Sequence, residues 1–223
     1  MKYLKYFFQF LIIVTLFSIF RLIGYKNASN FGAKIGGKFG KLIRSDEVIL
    51  KNINIINDYS QVKFQNINEI TKKVFSNYGR ILAEYVYLEK FRNGSLKNNV
   101  NIKGQKYLNE ILLKNKKVIF ISGHFNNFEL MAMFIDSAGI NLAAIYRPLN
   151  NIFLNKIMEK LRRTHICKNQ IQKGKSGTRQ ILKYLKNNFS IALMIDQRVT
   201  EGIKSDFFGK PAYTTTIPAQ IVK

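Results

Sequence analysis

Three short apolar runs, each closed by turn residues and separated by stretches of helical periodicity, constrain the second half of this chain more than any other feature. Val118-Ile-Phe-Ile-Ser122, Leu142 to Tyr146 and Ile191-Ala-Leu-Met-Ile195 are too short for stable helices and almost wholly apolar. Such runs are the mark of strands covered on both faces. Between and around them, Phe128 to Ser137 (ended by Gly139), Ile152 to Arg163 and Gly177 to Asn187 carry apolar residues at helical spacing. Strands alternating with helices predict right-handed βαβ units, hence an α/β fold with a largely parallel central sheet and flanking helices. Residues that directly follow the carboxyl ends of such strands line the ligand crevice. Here those residues include His124, Arg147 and Asp196.

The first half reads differently. Phe7 to Phe20 (FFQFLIIVTLFSIF) is apolar, with Lys2 and Lys5 before it and Arg21 and Lys26 after it. A membrane-spanning helix needs about 20 apolar residues. Snorkelling of Lys5 and Arg21, with Tyr3, Tyr6 and Tyr25 at the interfaces, lengthens the usable span. A cleaved signal peptide is the competing reading, but no small-residue cleavage site stands before Asn27. Residues 1–25 are therefore expected to be a membrane anchor, 26–100 a basic and helical region, and 101–223 the α/β core. Cations after the apolar run outnumber those before it, which puts the body of the protein on the cytoplasmic side. With no acidic residue before Asp46, this region is expected to adhere to anionic lipid. Phe31 to Ile43, with glycines at 32, 36, 37 and 40, is either a closely packed helix or a flexible basic linker. Ile67 to Lys90 has helical spacing, and Asn93-Gly94-Ser95 breaks it.

Across the whole chain, 36 Lys and Arg face 13 Asp and Glu, a net charge of +23. That demands an anionic partner, whether lipid headgroup, nucleic acid or acidic protein. The single cysteine, Cys167, excludes an internal disulfide. Two histidines and one cysteine do not make a structural zinc site, and no metal is expected.

The chemistry concentrates in Gly123-His-Phe-Asn-Asn-Phe-Glu129. His124 sits in the turn after the first strand, and Glu129 lies about one helical turn on. That spacing can return the carboxylate to one imidazole nitrogen, fixing the tautomer and freeing the other nitrogen as a base. The lone His165 is read as an ordinary surface or core residue. Gly174-Lys-Ser176 hints at a phosphate-binding loop, but Asn169 occupies the place of the required first glycine.

This stretch resembles the HX4D/E motif of the glycerolipid acyltransferase superfamily, and the chain is similar to the late lipid A acyltransferases, the lauroyl and myristoyl transferases. The resemblance rests on the amino-terminal apolar segment, Asn77-Tyr-Gly-Arg80 with Glu84, Ser122 to Glu129 and Ile145-Tyr-Arg-Pro148. It continues through Gly174 to Arg179, Asp196-Gln197, Phe207-Phe-Gly209 and Thr214 to Thr216. It implies transfer of an acyl chain from an acyl carrier protein thioester, with no cofactor, to a hydroxyl of an anionic glycolipid, a phosphorylated glucosamine disaccharide. His124 would be the general base and Glu129 would hold it. Arg147, Lys175 and Arg179 would contact phosphate, Arg147 alternatively the oxyanion, and Asp196 would orient the site. The phenylalanines 125, 128, 207 and 208 are candidates to line an acyl groove. The enzyme is expected as a monomer on the cytoplasmic face of the bacterial inner membrane. The family continues beyond the Thr-rich segment, so a chain ending at Lys223 is expected to be incomplete at its carboxyl end.

Two other readings compete. A glycerophospholipid acyltransferase shares the motif, but Asp196-Gln-Arg198 stands where those enzymes carry a proline-glutamate-glycine-threonine-like block. A basic membrane protein binding nucleic acid explains the charge but not the ordered motifs, and its cations would cluster in one groove. Here they are spread along the chain, and no nucleic-acid partner is expected.

Overall fold

The computed structural model describes residues 1–61, 63–197, 199 and 202–222, and of Lys175 the backbone alone. The chain divides into two compact units. One comprises Met1–Thr15, Tyr87–Gln197 and Thr216–Lys223, the other Leu16–Val86 and Arg198–Thr215.

The glycine-rich stretch is a helix, not a linker. Helix α1 (Lys2–Ile23) is followed by α2 (Tyr25–Ile43), α3 (Glu47–Tyr59) and α4 (Ile67–Glu84). Within the second unit α2 lies directly against α4. A Cβ built on Gly32 or Gly79 would strike the other's main-chain carbonyl, and one on Gly36 would strike the carbonyl of Phe75. The two backbones therefore touch, which only glycine permits. The polar members of the same segments close the seam. Buried Ser29 donates to Glu84 Oε1 (2.7 Å), and Arg80 donates to Ser29 Oγ (3.0 Å) and Asn30 Oδ1 (3.1 Å). Asn66 caps α4 by accepting from the Glu69 backbone (3.0 Å). Thus Gly79 and Arg80 of the Asn77 to Arg80 segment, with Glu84, serve helix packing, while Tyr78 is exposed.

In the first unit, α5 (Leu88–Asn93) ends at Gly94, and α6 (Gln105–Leu113) leads to the sheet. The strands are β1 (Ile119–Ser122), β2 (Leu142–Tyr146), β3 (Asn169–Gln172) and β4 (Ser190–Met194). All neighbours are parallel, in the order β1-β4-β2-β3. The connections carry α7 (Glu129–Ser137), α8 (Ile152–Leu161) and α9 (Lys175–Lys186). The expected α/β architecture is thus present. Ala143, Ile171 and Ile191 from three strands pack on Ile181 of α9. Their neighbours Leu142, Ala144 and Ala192 point to the opposite face and are also buried. Burial on both faces is why the middles of β2 and β4, Ala143 to Ile145 and Ile191 to Leu193, are apolar.

Strand β3 has no apolar run because it is an edge strand whose buried residues are one apolar, Ile171, and one polar, Gln170. Its polar side chains serve the backbone: Asn169 donates to the Leu142 carbonyl (3.1 Å) and Gln170 to that of Cys167 (2.9 Å). A short α10 (Ile217–Val222) packs on β1. In the second unit, β5 (Ile203–Phe207) and β6 (Lys210–Thr214) form an antiparallel hairpin. Its two-residue turn, Phe208 and Gly209, has φ of 52° and 65°, the left-handed pair that tight hairpins require.

Helix α1 is long and apolar enough to cross a membrane, with a mean hydropathy of 2.0. At 1.5 Å per residue its 22 residues span about 33 Å, matching a hydrocarbon core of about 30 Å.

The seam makes a specific demand. Gly79→Leu exchanges a poor helix former for a good one, yet it is expected to destabilise the protein by about 1–3 kcal/mol through overpacking. Lys38→Ala, on the exposed side of α2, is expected to be neutral. Denaturant unfolding of the detergent-solubilised protein checks this, and an unshifted midpoint for Gly79→Leu contradicts the backbone contact.

Candidate active site

Strands β1 and β4 are hydrogen-bonded with Ser122 opposite Met194. His124 and Asp196 each stand two residues further on, so the register brings them level at the carboxyl edge of the sheet. The chain beyond β1 turns sharply, with Asn126 at φ 41°, and presents the imidazole beside the carboxylate. Asp196 Oδ1 lies 2.7 Å from His124 Nδ1, and Oδ2 accepts from the His124 backbone N–H at 2.6 Å. One carboxylate thus holds both the ring and the main chain of the same residue. A Cβ on Gly123 would crowd Asp196 Oδ2 and the Phe125 ring, so glycine leaves room for the clamp. The Phe128 ring meets the imidazole edge-on at 4.6 Å between centroids.

The clamp decides the tautomer. With its proton on Nδ1, facing Asp196, the ring carries its lone pair on Nε2. The Gln197 amide nitrogen is 3.3 Å from that Nε2. Partial burial pushes the Asp196 carboxyl up, but the hydrogen bonds from the His124 backbone and ring, with the His124 charge, bring it below the ordinary carboxylate value. It is therefore ionised at neutral pH, as a group that orients an imidazole must be.

The carboxylate on Nδ1 is not the one expected from the spacing. Glu129 begins α7 and is buried, 8% exposed. Its Oε1 accepts from Arg162 Nε (2.9 Å) and Nη2 (2.7 Å). Arg162 opens a π-helical turn, Arg162–Ile166, after α8, and its guanidinium lies 5.8 Å from the centre of the Tyr146 ring. The reason is electrostatic: a buried carboxylate finds its best compensation in a forked guanidinium. Asp196, two residues past an adjacent parallel strand, needs no helical turn to reach the ring. The partner of His124 is corrected accordingly, from Glu129 to Asp196.

The other expected residues distribute as follows. Arg147 is exposed at the carboxyl end of β2, and Arg179 is exposed on α9. Lys175 begins α9, and its side chain lies outside the described residues, as does Arg198. Phe125 is 78% exposed. Phe207 and Phe208 pack on each other at the hairpin turn, Phe208 against Tyr59 (5.7 Å). The main-chain carbonyls of His165 and Ile166 accept from Arg92. Cys167 is buried, donates to the Leu142 carbonyl, and has its pKa pushed up to about 12 by burial and the Asp136 charge. It is not a nucleophile at neutral pH. Gln197 is the site residue that motif spacing alone did not single out; its position directly after Asp196 was the available signal.

An imidazole held by a carboxylate on one nitrogen, with the other nitrogen at the carboxyl edge of a parallel sheet, equips an enzyme to take a proton from a hydroxyl. The chain belongs to the bacterial lipid A biosynthesis acyltransferase family, whose model matches residues 1–223, and it is an acyltransferase. Comparison with curated proteins gives no match.

Two outcomes test the geometry. Asp196 has a depressed pKa in the folded protein, so its contribution to stability is present above the unfolded value of about 3.9 and lost as pH falls through the folded value. The stability gap between the parent and Asp196→Asn is therefore expected to close on acidification below about pH 4, measured by denaturant unfolding across pH. Removing the guanidinium with Arg162→Met strands a buried carboxylate and is expected to cost about 3–5 kcal/mol. The double variant Glu129→Gln with Arg162→Met is expected to recover much of that loss, and additive losses in this pair would argue against their coupling.

Proposed function

We propose that the enzyme moves a fatty acyl chain from an acyl carrier protein thioester to a hydroxyl of a lipid A precursor, with His124 as general base and Asp196 as the group that orients it. The observation that carries this reading is the 2.7 Å contact of His124 Nδ1 with Asp196, which leaves Nε2 as the basic nitrogen at the sheet edge. The acceptor hydroxyl gives its proton to Nε2 while its oxygen attacks the thioester carbon. The carbon–sulfur bond then breaks, and the imidazolium returns the proton to the departing sulfur. Ester and free thiol result, and the base is restored. The ionised Asp196 balances the transient imidazolium.

Arg147, Lys175 and Arg179 are assigned to the phosphates of the acceptor, where several cations match an anionic disaccharide headgroup. Glu129, forked by Arg162, supports the start of α7 from within the core and in that place acts on the site through structure. Helix α1 is assigned as a membrane anchor, and the excess of Lys and Arg that follows it favours a cytoplasmic catalytic unit at the inner membrane, working as a monomer.

Membranes containing the protein, supplied with acyl carrier protein thioester and either a phosphorylated glucosamine disaccharide lipid or glycerol phosphate, test the assignment. Transfer to the glucosamine lipid is expected, falling about 10²–10⁴-fold in His124→Ala while membrane attachment persists. Acylation of glycerol phosphate alone would overturn the acceptor assignment, and full activity without His124 would overturn the base.

A further inference from the structure

The nitrogen that has to receive the hydroxyl proton is already occupied by a neutral donor of the protein itself. Gln197 Nε2 stands 3.3 Å from His124 Nε2, while Asp196 fixes the proton on the opposite side of the ring. An attacking hydroxyl must come within about 2.6–3.2 Å of the same nitrogen. One lone pair cannot serve both, so the amide has to leave as the acceptor arrives.

Where it goes is limited by its root. Gln197 directly follows Asp196, whose carboxylate is tied twice to His124. The main chain beneath Gln197 is thereby held near the imidazole, and its side chain is exposed. Once the hydroxyl occupies Nε2, the thioester carbon stands beside the hydroxyl oxygen, and its carbonyl oxygen lies one bond further. That oxygen gains negative charge in the transition state and needs a donor. The amide carries two N–H groups released from the ring. Its neutrality also suits the place: a cation this close would lower the basicity of the imidazole, and a carboxylate would hold it protonated.

We propose that Gln197 is a catalytic residue with two positions. It rests on the base in the empty enzyme, and it moves to the thioester carbonyl oxygen as an oxyanion donor when the acceptor hydroxyl takes its place. This rests on His124 being the base.

The test compares kcat, KM for the glycolipid acceptor and pH–rate profiles of the full-length parent, Gln197→Ala, Gln197→Glu and His124→Ala, with thermal unfolding alongside. Loss of one oxyanion donor typically lowers kcat by about 10²–10³-fold. Gln197→Ala is expected to lose about 100-fold in kcat, with acceptor KM unchanged or lower and unfolding unaltered. Gln197→Glu is expected to lose at least as much, and to move the acid limb of its kcat/KM profile to higher pH, because a carboxylate beside the ring favours imidazolium. A merely structural residue would shift unfolding and leave the pH limb in place. If Gln197→Ala keeps its kcat within about threefold of the parent while His124→Ala is inactive, far from the loss expected of an oxyanion donor, the oxyanion role fails and the base assignment stands. If His124→Ala retains transfer, the base assignment falls and takes this proposal with it.

Discussion

Parallel pairing of β1 with β4 is the constraint on which the site depends. Neither His124 nor Asp196 belongs to a strand, and 72 residues separate them. They meet because Ser122 and Met194 are register partners and each chain runs two residues further in the same direction. A parallel sheet turns equal offsets past adjacent strands into spatial neighbours, which is why its carboxyl edge collects reactive groups. The α9 crossover buries Ile181 against β2, β3 and β4, so the core packs directly on the strand that leads to Asp196.

The same geometry explains the division of labour between the two carboxylates. Asp196 sits at the solvent edge, accepts two hydrogen bonds from one residue and stays ionised there. Glu129 is taken into the interior, where an ionised group is tolerated only with a forked partner, and Arg162 provides it. The π turn that begins at Arg162 places that guanidinium. Single π turns of this kind occur frequently at functional sites.

Much of the fold was legible in the residues. The apolar runs at 118–122, 142–146 and 191–195 marked strands within a residue of their ends, but the expectation of cover on both faces holds for β2 and β4 and not for β1, an edge strand whose Ile121 is 49% exposed. Strand β3 escaped detection because Asn169 and Gln170 bond to backbone and so read as loop. The hairpin of β5 and β6 escaped because Ile203 to Phe207 is exposed and is set by its Phe208-Gly209 turn. Helix α2 stood level with a linker, since glycine spacing says that a backbone is to be approached but not by what. At the site, His124 and Asp196 were both visible as residues that follow strands. Their pairing was not, because short-range spacing favoured Glu129, whereas strand order, a long-range property, decides which carboxylate is adjacent.

The glycine contact between α2 and α4 limits how this protein is free to change over generations. Where side chains interlock, an enlarged residue on one helix is relieved by a smaller one across from it. Here the obstacle opposite Gly32, Gly36 and Gly79 is a carbonyl oxygen of the main chain, which every amino acid possesses. No second substitution on the facing helix can remove it. Drift at these positions is therefore closed to compensation, while the lysines on the outer side of α2 remain free to exchange with one another and with arginine.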